Sequence, residues 1–420
     1  MTNLKEYFLF KDSNWLIVQS FFLDIALWLP WVPLTYSFKG SVHNTILAAI
    51  FSSLLFLSPR IFRWLALGRV GRLLDTTDSK LNVLLGGVIV LAIYLFISSI
   101  IRMPLIDFIF VGFRGIIQAI FDCSRPILLK SNLENELVSR DTEFVQNKIK
   151  QKTFELSLIP SLAMGIGSLI GGLLSNTLDL SEIFLISFGL TIVILFPTLF
   201  RYRTDLNIKE LPLSKNKTYN LNALPVASLD IRKGFSERFA IATGFGGTPF
   251  LMHLKFDSFN GSEQFNFSLF MCAISIGVLL AFILPKKVVA LSKPQNAGFF
   301  FIVAWVTQFS LLYLETGKLS IVALSIATVF FQFLFMGISI SNLVKVSPDL
   351  YLGTILSLAS KYEISGAIVA HLIYGLSISY ISPIQAYLVS SLIAVFGGVA
   401  IYYRYDLQLK KESLNDEVRF

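Results

Sequence analysis

The sequence predicts an all-α membrane protein of twelve transmembrane helices in two six-helix sets, and three observations carry that prediction. Hydrophobic residues make up 54% of the chain, with 39 Phe, while charged residues make up only 15%; a soluble domain carries about 25% charge. Apolar runs of roughly the length that crosses a hydrocarbon layer recur at 15–38, 44–65, 82–101, 104–121, 154–174, 183–200, 239–254, 267–284, 299–314, 319–343, 352–376 and 384–403. Finally, with the N-terminus placed in the cytoplasm, 27 of the 35 Lys and Arg fall on one set of alternating connectors and four on the other. That asymmetry is a topology signal, and it predicts both termini inside. It also explains the net charge of +8 without nucleic acid.

Each run has its own features. The first follows a polar start containing Glu6 and Asp12 and is too long for the apolar part of a cleavable leader. It carries Asp24 about 15 Å deep at helical rise. The second contains Pro59, carries Arg60 and Arg63 just after it on nearly one face, and ends in the polar connector LGRVGRLLDTTDSK, residues 67–80. Arg114 lies inside the fourth run. The interval 125–152 alternates acid and base at helical spacing. The fifth run holds Gly165, Gly167, Gly171 and Gly172, which permit close helix packing. The longest polar interval, 202–238, contains Pro212 and Pro225 and reads as an irregular cytoplasmic linker with short amphipathic pieces. In the seventh run GFGGTPF, with Gly246, Gly247 and Pro249, predicts a broken helix of the kind that lines transporter cavities. Lys361 and Glu363 in the eleventh point to different faces. The organisation expected is therefore an N-terminal bundle 1–203, a linker 204–238, a C-terminal bundle 239–405 and a cytoplasmic tail 406–420.

The connector 67–80 carries a resemblance. Gly71-Arg72-Leu73-Leu74-Asp75, continuing to Lys80, resembles the G-x-L-x-D-(R/K)-x-x-(R/K)-(R/K) signature of the major facilitator superfamily, in its usual place between spans two and three. Thr76 stands where that family has a basic residue. Three other stretches resemble the drug-exporter branch that includes macrolide-efflux proteins: VGFRGIIQAIFDCSRP around Arg114, AMGIGSLIGGLL with Ser168 in place of a proline, and YLGTILSL at 351–358. The resemblance implies the major facilitator fold and export from the cell across the inner membrane in exchange for protons or another coupling ion. In that scheme Gly71, Asp75 and Lys80 gate, with Asp75 facing the N-terminal end of a helix in the other half, and Gly167, Gly171 and Gly172 let the bundles rock.

Ionisable residues inside a bilayer are costly and are functional candidates by default. Asp24, Arg60, Arg63, Arg114, Lys361 and Glu363 are the candidates for substrate contact or proton coupling. Arg60 is read either as a contact for an anionic substrate or as the partner of Asp24, so that protonating the acid frees the arginine. Asp122 and His371 are weaker candidates. The leading expectation is proton-coupled export of small apolar or amphiphilic molecules by a protein acting as a monomer. The alternatives are a transporter of anionic amphiphiles, such as lysophospholipids or siderophore-like acids, and a non-transporting assembly factor. No cofactor is expected and no catalytic or metal-ligating set is recognised: the sequence has no GK(S/T) phosphate loop and no acidic metal-binding cluster in a loop. Cys123 and Cys272 both fall on predicted helices, which suggests no disulfide.

Overall fold

The structure, a computed structural model, describes residues 12–34, 45–77, 79–101, 104–138, 140–203, 229–246, 263–283, 294–313, 317–348, 351–376 and 382–417. These form twelve helices. They are α1 (Asp12–Trp28), α2 (Thr45–Thr76), α3 (Lys80–Ile100), α4 (Pro104–Glu136), α5 (Thr142–Leu174), α6 (Leu180–Arg203), α7 (Leu229–Phe245), α8 (Glu263–Ile283), α9 (Pro294–Tyr313), α10 (Lys318–Val346), α11 (Leu352–Leu376) and α12 (Pro383–Glu417).

The outward faces explain the hydrophobic excess. Ile89, Ile93 and Phe96 of α3, Val193 and Phe196 of α6, Phe299 and Ile302 of α9, and Leu392, Val395 and Phe396 of α12 are all exposed. Apolar surface on this scale is unstable in water and is what a bilayer solvates. Those four helices are the outer members of two six-helix bundles. In the first, α1 packs on α4, α5 and α6, and α2 on α4; in the second, α7 packs on α10, α11 and α12, and α9 on α10. The bundles meet where α2 packs on α11 and where α5 packs on α8 and α10.

Six of the described helical segments contain a window apolar enough to cross a membrane with no more than two charges. Several others are interrupted by charges on inward-facing positions, among them α2, α4 and α11. Helices also outrun their apolar runs. The fourth run ends at Phe121, but α4 continues to Glu136; α5 begins at Thr142 rather than near 154. Thus most of the charged interval 125–152 is helical extension. α7 starts at Leu229, inside the interval read as linker, and α12 reaches Glu417, through most of the stretch read as a tail.

Close approach of backbones is bought with glycine where the helices cross. A Cβ at Gly171 would collide with the Leu29 carbonyl at the end of the first span, and one at Gly167 would lie 3.0 Å from Ile25 O. These glycines therefore seat α5 against α1. Gly172 is buried in the same segment. α7 ends at Phe245, and Gly246 forms a turn whose N–H donates to Ala242 O at 2.8 Å. Gly247 and Pro249 lie outside the described residues.

Candidate functional site: a charged cavity between two latched bundles

Residues of both bundles line one cavity of about 210 Å³, and three acid–base pairs surround it. Asp24 on α1 accepts a hydrogen bond from Arg125 Nη1 on α4 at 2.7 Å, with both side chains no more than 5% exposed. Arg63 on α2 lies 2.6 Å from Asp122 on α4. In the other bundle Arg238 on α7 lies 3.2 Å from Glu363 on α11. Trp28, Phe121, Met164 and Met336 supply apolar wall, and Gln118, Ser157, Ser161 and Ser360 supply neutral polar groups. Charges are tolerated here because each is met by an opposite one; an isolated ion in such a place is prohibitively desolvated.

The pairing leaves donors unused. Nε and Nη2 of Arg125, Nε of Arg63 and Nε of Arg238 are buried without a hydrogen-bond partner. A guanidinium presents five N–H donors in a rigid fork, so a carboxylate that takes one or two leaves others pointing elsewhere.

Among the candidates named from sequence, the cavity brings together Asp24, Arg63 and Glu363 and leaves out Arg60, Arg114 and Lys361. Asp24 pairs with Arg125, not with Arg60. Arg60 instead crosses to α11, its Nη1 lying 2.5 and 2.7 Å from the two ring nitrogens of His371. His371 Nδ1 also lies 3.0 Å from Ala367 O; the tautomer that satisfies both carries its proton on Nδ1 and accepts from Arg60 at Nε2. Arg114 is held between the rings of Trp28 and Trp31, at 3.7 and 4.3 Å from their centroids. Cation–π contact of this kind is worth about 2 kcal/mol or more when desolvated, which accounts for a buried arginine whose Nε and Nη2 make no hydrogen bond. Lys361 stacks over Trp64, 5.0 Å from its ring.

Three of the cavity residues carry little or no weight in the sequence: Arg125, Arg238 and Asp122. Arg125 and Arg238 fall just outside the apolar runs, where a basic residue reads as part of a connector. The usable signal was their helical phase: Arg125 lies eleven residues after Arg114, three turns along the same face.

At the connector end of the bundles Asp75 joins the two halves. Its carboxylate accepts from Gly353 N and Thr354 N, each at 2.8 Å, and from the Thr354 hydroxyl. These are donors of the first turn of α11, where unpaired amides and the helix dipole favour an anion. Burial raises the Asp75 carboxyl above its ordinary range, against the lowering by the Thr354 hydroxyl and the two amides. Gly71 makes the approach possible: its Cβ would lie 2.5 Å from Ser357 Oγ and 2.8 Å from Gly353 O. Lys80 opens α3 beside this contact and acts on Asp75 through its charge. Thr76 turns back onto its own helix, donating to Arg72 O at 2.9 Å, so it adds no link between the bundles.

Two bundles of six helices with a cavity between them constitute the fold of major facilitator-type transporters. Among solved structures it resembles crystal structures of a bacterial homologue of the iron transporter ferroportin in an outward-facing state, one of them with soaked iron. Each superposes with a TM-score of 0.64 at 13% identity over 94% of this chain, covering 100% of the iron-soaked chain and 99% of the other. No family model matches the sequence, and no curated protein sequence does. At this identity the likeness establishes the fold alone.

Proposed function

We propose that the protein is a proton-coupled secondary transporter that exports small amphiphilic molecules by alternating access. The observation that carries this reading is a cavity between the bundles, walled by three ion pairs and by Trp28, Phe121, Met164 and Met336. Apolar walls suit the body of an amphiphile, and a carboxylate that can exchange its arginine for a proton suits coupling. Protonating Asp24 removes the charge that holds Arg125, and Arg125 is then free to engage a substrate group. The Asp75 contact on α11 is the element that opens and closes the cytoplasmic side as the bundles rock. Export, rather than uptake, and placement in the inner membrane with both termini cytoplasmic rest on the resemblance to macrolide-efflux proteins and on the Lys and Arg asymmetry.

A bare metal ion is a poorer cargo for this cavity. Each of its carboxylates is matched to an arginine, and no group of three His, Cys, Asp or Glu side chains converges among the described residues. A second reading, transport of anionic amphiphiles, is favoured by one observation, the unused N–H donors of Arg63, Arg125 and Arg238.

The test is flux in inverted membrane vesicles under an imposed proton gradient, with a cationic dye, a neutral macrolide and an anionic lysolipid as probes. Gradient-driven movement of the dye or the macrolide supports the first reading. Movement of the lysolipid alone replaces it with the second, and no movement of any probe above empty vesicles counts against both.

A further inference from the structure

A second charged place lies outside the cavity, on the seam where α2 meets α11. α2 spans 32 residues, about 48 Å at helical rise, against a hydrocarbon layer of roughly 30 Å. Its apolar run ends at Leu65 and the helix continues as Gly68-Arg69-Val70-Gly71-Arg72. The level of Trp64 to Arg72 is therefore the bilayer interface. Trp64 and Leu65 face outward there, at 39% and 60% exposure, as expected of an aromatic residue at headgroup level.

Two cations converge at this level on the gap left by Gly68. Lys361 Nζ, from α11, lies 2.8 Å from the point that a Gly68 Cβ would occupy. Arg72 folds back along α2 and donates from Nε to Gly68 O at 3.2 Å. Trp64 frames the place from the other side: its ring carries Lys361, and its Nε1 donates to Ser365 Oγ at 3.1 Å, pinning the indole across the seam. Neither Lys361 nor Arg72 is paired with a carboxylate among the described residues. The contrast with the cavity, where every arginine has its acid, is what marks this seam. Here two cations from different helices both contact Gly68, beside an outward-facing tryptophan.

We propose that Lys361 and Arg72 bind the phosphate of an anionic phospholipid, its headgroup seated over Gly68 and its acyl chains lying along Trp64 and Leu65. A bound headgroup neutralises both cations and bridges α2 to α11. It does so about two turns from the Asp75 contact, so it holds the same pair of helices in the same closed arrangement. The lipid is thereby a ligand of the closed state.

The experiment is retention of phosphatidylglycerol against phosphatidylcholine, read by native mass spectrometry of the purified full-length protein. Lipid retention is read without transport, so its failure is separable from failure of the transport reading. Each basic residue near an anionic surface contributes a factor of about five in affinity, so Lys361→Gln with Arg72→Gln is expected to weaken phosphatidylglycerol retention about 25-fold. The charge-matched control Arg69→Gln with Arg140→Gln, two exposed positions, is expected to change it little, and Lys361→Arg is expected to retain the lipid. Monodispersity in lipid-free detergent checks that the variants fold. Equal losses in the test and control variants, or no loss in either, would overturn the proposal. Displacement of the lipid by millimolar inorganic phosphate would overturn the assignment to a lipid headgroup.

Discussion

The two bundles share an architecture but meet the cavity with different electrostatics. The N-terminal bundle contributes two acid–base pairs, Asp24–Arg125 and Arg63–Asp122, and keeps a further arginine, Arg114, between two tryptophans. The C-terminal bundle contributes one looser pair, Arg238–Glu363, to the cavity, and away from the cavity its interior includes a network of neutral polar groups. There Tyr387 Oη donates to Trp305 O at 2.8 Å and Trp305 Nε1 donates to Ser391 Oγ at 2.8 Å. Ser390 donates to Thr243 O in the same region. The difference is one of geometry: the most buried ion pair of the cavity lies between α1 and α4, while the pair between α7 and α11 is longer and more open to solvent.

The difference can be broken at several places. The largest effect is expected from Asp24→Ala, which leaves Arg125 buried without its acid; orphaning such a charge costs about 3–5 kcal/mol. Glu363→Ala should cost less, about 1–3 kcal/mol, because that glutamate is 22% exposed and its pair is 3.2 Å apart, although the Arg238 left behind is only 8% exposed. Thermal unfolding of both variants in one detergent makes the comparison, and equal losses would show that the halves are not electrostatically distinct.

Similar in size to the second is Gly71→Ala, where the added methyl meets Ser357 and the Gly353 carbonyl. Overpacking of this kind costs about 1–3 kcal/mol, and here the cost falls on the closed arrangement of α2 and α11. Ser357→Gly removes the nearest obstacle and should restore part of the loss, as read by the rate of disulfide formation between cysteine pairs placed across the seam. The smallest effect is expected from Trp305→Phe, which deletes one hydrogen bond worth about 0.5–1.5 kcal/mol and should leave transport unchanged in a flux assay.

The same contrast explains what was legible in the sequence. The contact of Asp75 with the first turn of α11 follows from the resemblance of Gly71-Arg72-Leu73-Leu74-Asp75 to the major facilitator signature, which implies an aspartate facing a helix N-terminus in the other half. The twelve helices were readable too, since lipid-facing residues must be apolar on every outer helix. Arg125 and Arg238 were not. A hydropathy window ends where charges begin, yet α4 runs fifteen residues past Phe121, and the charges on that extension turn inward. Arg60 illustrates the converse: its depth was evident, but its partner, His371, lies 311 positions away on α11, and no local pattern announces it. Periodicity reports which face a residue occupies; only the packing of the bundles reports what stands opposite.

The central claim is that Asp24 couples proton movement to substrate movement by releasing Arg125. The most direct measurement compares two activities of Asp24→Asn in proteoliposomes, using whichever probe the vesicle assay identifies. The account predicts that proton-gradient-driven accumulation is lost while substrate exchange across a membrane without a gradient persists, because exchange needs the cavity and the latch but no proton. Full accumulation by Asp24→Asn would contradict it.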